Sequence, residues 1–421
     1  MNFSDKIKLV EKKYNDGDII KAEIIVKELI SKDSKLPYLH NLYGMILDRL
    51  EKIDDAMTSY KKAIKLNPAY FEVYFNMGKL FMKNRMAEKA IPNYKKTLEL
   101  RPDFIEGYIA LGSALKYLKK FKEAIFNFRK VVELKPDFPG GHIVLGAALQ
   151  ENGQLNEAIP HLKKFGVASK ARALECLYSI KDISGYNKFL LELSKSQPLN
   201  LRAATISAYA SHQLDIENIY PFCKNPLDYI SITNIESDLK PLSFDDFYKE
   251  VLSFDEFWEK SGKVTNKAYK THGNIFDNKT KCILKLKEII LDQIEKYKQK
   301  FSKNKDYIIT RWPKSFHLYG WHVRYLKLGK QNDHIHPDGW ISGGFYIKIP
   351  KKKKNNEGAI RFDLHGFNYP VLNKNKKIPH VEYVPKEGDF CLFPSSLFHR
   401  TIPCPSDEER HMIAFDIRPK N

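Results

Sequence analysis

The sequence predicts a multidomain chain. An N-terminal all-α solenoid should span residues 1–170, a helical connector 171–235, and a C-terminal double-stranded β-helix (jelly roll) with flanking helices 236–421. Three observations predict it. The first part repeats every 34 residues, the period of a helix–turn–helix solenoid. After residue 310 the pattern changes to short alternating strands bounded by turn residues. Within those strands, His334 and His336 stand two residues apart, and a distant His399 is followed eleven positions later by Arg410.

In the solenoid, Gly44, Gly78, Gly112 and Gly146 stand 34 residues apart, as do Ala22, Ala56, Ala90, Ala124 and Ala158. Tyr60, Tyr94 and Phe128 hold the next site, and Pro68, Pro102 and Pro136 close each unit. The logic is steric: Gly and Ala let two helices approach, an aromatic fills the gap, and Pro ends the second helix. These residues resemble tetratricopeptide repeats, most closely over positions 37–170. Residues 1–36 keep Ala22 but have Val10 where Gly is expected, and read as a worn capping repeat. The last unit has Leu162 in the aromatic slot. The resemblance implies a groove that binds a protein or peptide; the plainer alternative is an array that only dimerises or supports the second domain.

From 171 to 225 the register is lost, yet Ala171–Tyr178 and Leu201–Tyr209 are apolar at helical spacing, and Pro198, Pro221 and Pro226 punctuate the segment. A helix over Lys281 to Phe301 carries Ile283, Leu286, Ile290, Ile294, Tyr297 and Phe301 on one stripe opposite a Lys- and Glu-rich face, so it should cover a sheet.

Trp321–Leu328, Gly343–Ile349, Ala359–Leu364, Phe390–Phe393 and His411–Ile417 then read as strands. Ligand residues at i and i+2 share one face of a strand. With a distant third His they form the kind of triad that holds non-haem iron, and a guanidinium fork suits a dicarboxylate cosubstrate. The run His334-Ile-His-Pro-Asp-Gly-Trp-Ile-Ser-Gly-Gly-Phe-Tyr, the run Gly388–Pro403 and the end Glu409-Arg-His-Met-Ile-Ala-Phe-Asp resemble the 2-oxoglutarate/Fe(II)-dependent oxygenases. The likeness is particularly to a bacterial and phage group that often carries tetratricopeptide repeats.

The resemblance implies Fe(II) and 2-oxoglutarate as cofactor and cosubstrate. The metal ligands would be His334, His336 and His399, with Arg410 on the distal carboxylate and Tyr325 and Tyr346 as hydroxyl donors. The usual second ligand is a carboxylate, so Asp338 in His336-Pro-Asp338 stays open as the alternative. The run from Tyr325 through Gly329 to His334 is similar to the Tyr…Gly…His-x-Asp run of prolyl 4-hydroxylases, a resemblance that favours the histidine. Trp340 and the Gly339, Gly343 and Gly344 backbone are expected to shape the substrate mouth. His317, His322, His365, His380 and His411 are read as structural, and Phe393-Pro-Ser-Ser396 as the bend before His399.

The function expected is a dioxygenase that hydroxylates a protein or peptide. The alternatives are a repeat adaptor with a degenerate jelly roll, or a cupin-like metal enzyme using no 2-oxoglutarate. A hydrophobic fraction of 43% excludes a disordered chain. The formal charge of +19 is mostly Lys spread along the chain without a recognition motif, so no nucleic-acid partner is expected. The Lys351–Lys354 run reads as a solvated loop. Five scattered Cys without a CxxC pair argue against a disulfide scaffold. With no apolar signal core and no run long enough to span a bilayer, no membrane association and a cytoplasmic location are expected.

Overall fold

The structure is a computed structural model describing residues 2–259, 264–351, 356–367 and 369–420. It divides into two compact units, Met1–Ser169 and Lys170–Asn421. The Lys352–Lys354 run lies outside the described residues.

The first unit is built of helical hairpins: α1 (Phe3–Asn15) with α2 (Ile19–Lys32), α3 (Pro37–Arg49) with α4 (Ile53–Leu66), α5 (Phe71–Lys83) with α6 (Ala87–Leu100), α7 (Ile105–Tyr117) with α8 (Phe121–Leu134), and α9 (Pro139–Glu151) with α10 (Leu155–Lys164). The repeated glycines sit where the argument from packing requires. A Cβ at Gly44, Gly78 or Gly112 would lie 2.4–2.5 Å from the ring of Tyr60, Tyr94 or Phe128 in the same hairpin. In the last unit a Cβ at Gly146 would meet Leu162 at 2.8 Å, so Leu fills the aromatic slot. The worn first unit is a complete hairpin whose Val10 is fully buried. Gly78→Ala should therefore overpack its hairpin by about 1–3 kcal/mol. A thermal melt of the full chain checks this: the transition should fall for Gly78→Ala, and the same substitution should cost less in a Tyr94→Ala background.

The second unit opens with α11 (Val167–Ser179), α12 (Ile183–Ser196) and α13 (Leu201–Leu214). There follow β1 (Ser231–Asn234), α14 (Phe244–Leu252), β2 (Glu256–Trp258), β3 (Thr265–Thr271), α15 (Lys281–Lys300), α16 (Tyr307–Thr310) and β4 (Phe316–Gln331). The chain ends in β5 (Ile341–Lys348), β6 (Ile360–Asp363), β7 (His380–Tyr383), β8 (Asp389–Pro394), β9 (Phe398–Thr401) and β10 (Arg410–Pro419). Among the described residues a seven-stranded sheet has the order β1-β8-β5-β10-β4-β3-β2 and a three-stranded sheet the order β7-β6-β9. All the pairings are antiparallel. The turn after β8 carries the chain from the larger sheet into the smaller, as a double-stranded β-helix requires.

The alternation along β10 sets the layers. Met412 and Ala414 point inward to a core that also takes Val323 and Tyr346 from the large sheet and Ile360 and Phe362 from the small one. His411, Ile413 and Phe415 point to the other face. There Tyr248 of α14 stands edge-on to His411, with centroids 4.9 Å apart, and Phe276 packs on Phe415. The apolar stripe of α15 is buried as its spacing predicts, and Gln293 bonds Thr233 of β1 at 3.1 Å.

The segment 171–235, expected as a connector, is built into the second unit. Within it β1 pairs with β8, and Thr205 of α13 donates to Ser396 O at 2.7 Å. Glu175 accepts from Arg202 at 2.6 and 2.8 Å and from the Tyr369 hydroxyl at 3.2 Å. The Tyr178 and Tyr209 hydroxyls both donate to Pro370 O. These helices lose the 34-residue register because their buried faces serve the loop after β6 and the bend before β9.

No described helix is long and apolar enough to cross a membrane. All five cysteines are free thiols.

Candidate metal centre

Backbone pairing brings the histidines together. His334 and His399 exchange backbone hydrogen bonds (3.2 and 3.1 Å) as an isolated antiparallel bridge between the end of β4 and β9. The ladder stops there, so His336 is not placed by strand alternation as its spacing suggests. Its N–H donates instead to Ser395 O at 3.0 Å, and its carbonyl accepts from Gly339 N at 3.1 Å in the turn that follows. Only a hydrogen fits at Gly339, because a Cβ would lie 2.5 Å from Ser395 Oγ.

One potential ligand atom from each of His334, His336 and His399 lies within 4.8 Å of the others. Ring centroids are separated by 4.2 Å (His334–His399), 5.0 Å (His336–His399) and 5.1 Å (His334–His336). Every Nδ1 faces an oxygen: Asn332 O at 2.8 Å, Asp416 Oδ1 at 2.5 Å and Leu397 O at 3.2 Å, respectively for His334, His336 and His399. An oxygen acceptor places the hydrogen on Nδ1, which leaves the Nε2 lone pair of each ring for a metal. Asp338 is exposed in the turn after His336 and does not belong to the cluster.

Burial keeps His334 and His399 neutral. It pushes His334 down to about 3, helped by repulsion from His336 and opposed by the bond to Asn332. It holds His399 well below the ordinary imidazole range, again with repulsion from its neighbours. A metal therefore meets lone pairs, not protons.

The inward row of β10 runs from Arg410 through Met412 and Ala414 to Asp416, so one strand serves both ends of the site. His336, His399, Trp321, Gly344, Tyr346 and Thr401 line the pocket between the sheets. Behind Thr401, Arg410 donates from Nη2 to Thr401 Oγ1 at 3.1 Å and from Nη1 to Gly358 O at 2.7 Å. Its guanidinium lies 4.3 Å from the centre of the Tyr325 ring. Two buried polar atoms there, Arg410 Nε and the Tyr325 hydroxyl, have no protein partner, nor has Trp321 Nε1. Such atoms cost about 1–3 kcal/mol each when unpaired. Three converging nitrogens beside an under-satisfied cation fit a metal ion with a carboxylate cosubstrate.

Residues 320–416 match the family model described as "Putative 2OG-Fe(II) oxygenase". Residues 46–84 match a TPR repeat model, and 71–104 and 105–138 a tetratricopeptide repeat model. The chain thus joins segments that match tetratricopeptide repeats to a segment that matches a 2OG-Fe(II) oxygenase model.

Among solved structures, the chain is similar to pilF of Pseudomonas aeruginosa (16% identity, 49% of this chain and 97% of that one, TM-score 0.41). It is also similar to MamA of Desulfovibrio magneticus RS-1 (22%, 38% and 92%, TM-score 0.36). A third is YrrB, titled a TPR protein with an unusual peptide-binding site (18%, 38% and 82%, TM-score 0.33). No curated protein matches the chain.

Two residues of the second unit depart from the sequence expectation. Trp340, expected at the mouth, is buried: its indole donates to Ile308 O at 2.9 Å and its ring packs edge-on against Phe222. Asp416, which the sequence reading left without a role, reaches His336. The signal available was a lone acid in the same alternation as Arg410. His322 and His411, expected to be structural, are fully buried, bonded to each other at 3.1 Å, and flanked by Glu256 and Glu409.

The neutral rings make the metal-free protein pH-sensitive. Between about pH 3 and 6.5 the unfolded chain protonates His334 while the folded chain does not. Stability is therefore full above about pH 6.5 and falls below it, by up to about 1.4 kcal/mol per pH unit for each such ring. Melting temperatures of metal-free protein from pH 7.5 to 5 should drop steadily. A flat profile would contradict the buried, neutral rings.

Proposed function

We propose that the oxygenase domain is a 2-oxoglutarate- and Fe(II)-dependent dioxygenase that hydroxylates a protein or peptide substrate recruited by the repeat array. The observation that carries this reading is the convergence of His334, His336 and His399 in the same inter-sheet region as buried, incompletely bonded Arg410. His334, His336 and His399 would hold Fe(II), and Arg410 would take the distal carboxylate of 2-oxoglutarate with the Tyr325 hydroxyl beside it. When bound, iron with 2-oxoglutarate supplies oxidation of an unactivated C–H bond coupled to decarboxylation of the cosubstrate to succinate.

The protein's share is positional. The Asn332 and Leu397 carbonyls and the Asp416 carboxylate fix the three ring tautomers. Gly343 and Gly344 leave the pocket floor open, since a Cβ at Gly344 would meet Met412 at 2.8 Å. Burial of Phe362, Phe393 and Met412 around the rings excludes water. The repeat array supports a macromolecular substrate, because stacked repeats offer extended binding surfaces.

The test is succinate release by the full chain with Fe(II), 2-oxoglutarate and air, before and after adding a cell extract split by ultrafiltration. Stimulation by the large fraction, destroyed by protease, is the expected result. Stimulation by the small-molecule fraction alone would overturn the substrate class. Three neutral ligands also suit a metal enzyme that uses no 2-oxoglutarate. In that case turnover would be indifferent to Arg410→Ala.

A further inference from the structure

We infer that Asp416 completes the metal centre from outside the ligand set. It is a positioning residue that locks His336 with Nε2 free and lends that imidazole the negative charge that three neutral ligands lack. The inference rests on the metal-binding reading above.

The geometry is specific. Asp416 is 2% exposed, and its Oδ1 lies 2.5 Å from His336 Nδ1. Ser342 Oγ donates to the same oxygen at 2.8 Å and also lies 2.8 Å from Ser395 Oγ, which ties the carboxylate to the bend that anchors His336 N–H. The second oxygen accepts from Arg418 at 3.1 Å. Arg418 is partly exposed, so water screens its charge more than it screens the side of Asp416 that faces the ring.

A carboxylate hydrogen-bonded to the far nitrogen of a ligating imidazole fixes its tautomer and raises its basicity.

The domain holds an internal contrast. His322 and His411 are also buried beside carboxylates, yet they bond to each other at 3.1 Å and His411 bonds Glu409 at 3.2 Å. At His336 the carboxylate takes one nitrogen and leaves the other facing two more imidazoles. The three cluster rings would otherwise present no charge to a divalent ion, whereas oxygenase triads of this type ordinarily include a carboxylate. Asp416 restores that charge one imidazole away.

The test measures anaerobic Co(II) and Fe(II) affinity by competition, together with the Co(II) visible spectrum. It compares wild type, Asp416→Asn, Arg418→Gln and His334→Ala. Asp416→Asn keeps an acceptor of the same shape but removes the charge. It should weaken both metals about tenfold to a hundredfold and shift the Co(II) bands. Arg418→Gln breaks the same ion pair from the other side and should leave affinity unchanged or slightly higher. A merely structural Asp416–Arg418 pair predicts that the two variants behave alike.

If wild type binds metal and His334→Ala does not, equal effects of Asp416→Asn and Arg418→Gln, or none in either, overturn the inference. If wild type itself binds neither metal, it is the metal-binding reading that fails.

Discussion

His399→Ala should abolish iron binding and all succinate formation while leaving the fold intact. The ring is fully enclosed, with its Nδ1 committed to Leu397 O, so its contribution to the cluster is one Nε2 lone pair. Two imidazoles cannot hold three faces of an ion. The loss should exceed the roughly tenfold to hundredfold effect typical of an outer partner. The fold should survive because His399 joins the small sheet through its backbone, which an alanine retains. The missing ring leaves a gap between Phe362 and Phe393, worth about 2–3 kcal/mol by analogy with other large-to-small changes. Metal content by elemental analysis, with a thermal melt alongside, separates lost ligation from lost structure. Full iron occupancy in this variant would remove His399 from the centre.

Arg410→Ala should leave iron binding unchanged and cripple 2-oxoglutarate binding. Truncating one partner of a buried, hydrogen-bonded charge pair costs about 2–5 kcal/mol, a rise in Kd of about thirtyfold to several-thousandfold. Arg410→Lys should recover little. A compact ammonium cannot span Gly358 O and Thr401 Oγ1 while still presenting a donor to a carboxylate. Isothermal titration of 2-oxoglutarate into the iron-loaded protein under anaerobic conditions checks both variants. Wild-type affinity in Arg410→Ala would reduce the arginine to a structural prop and favour a metal enzyme without this cosubstrate.

How much of this was legible in the sequence differs by feature, for physical reasons. The solenoid announces itself because close helix approach needs Gly opposite an aromatic at a fixed interval, as Gly78 and Tyr94 show. The left-handed turn positions recur at the same interval, but glycine marks that conformation at Gly17 and Gly153 and not at Glu51, Arg85 or Lys119. The candidate ligands were readable as a spacing. The same run favoured His336 over Asp338 but left Asp338 open, because the choice depends on where the strand stops and the turn begins. Asp416 was invisible for another reason: an acid near the end of an apolar strand means nothing until a histidine 80 residues away is placed against it. Helices α11–α13 were visible as helices. Their docking was not, because the bond from Thr205 to Ser396 joins residues 191 apart.

The most direct measurement is the visible spectrum of the full chain under anaerobic conditions, titrated first with Fe(II) and then with 2-oxoglutarate. One iron per chain and a charge-transfer band that grows only when 2-oxoglutarate is added, absent in His399→Ala, is the result predicted here. Iron binding without that band, or no iron binding at all, would contradict a three-histidine centre built to hold a 2-oxo acid.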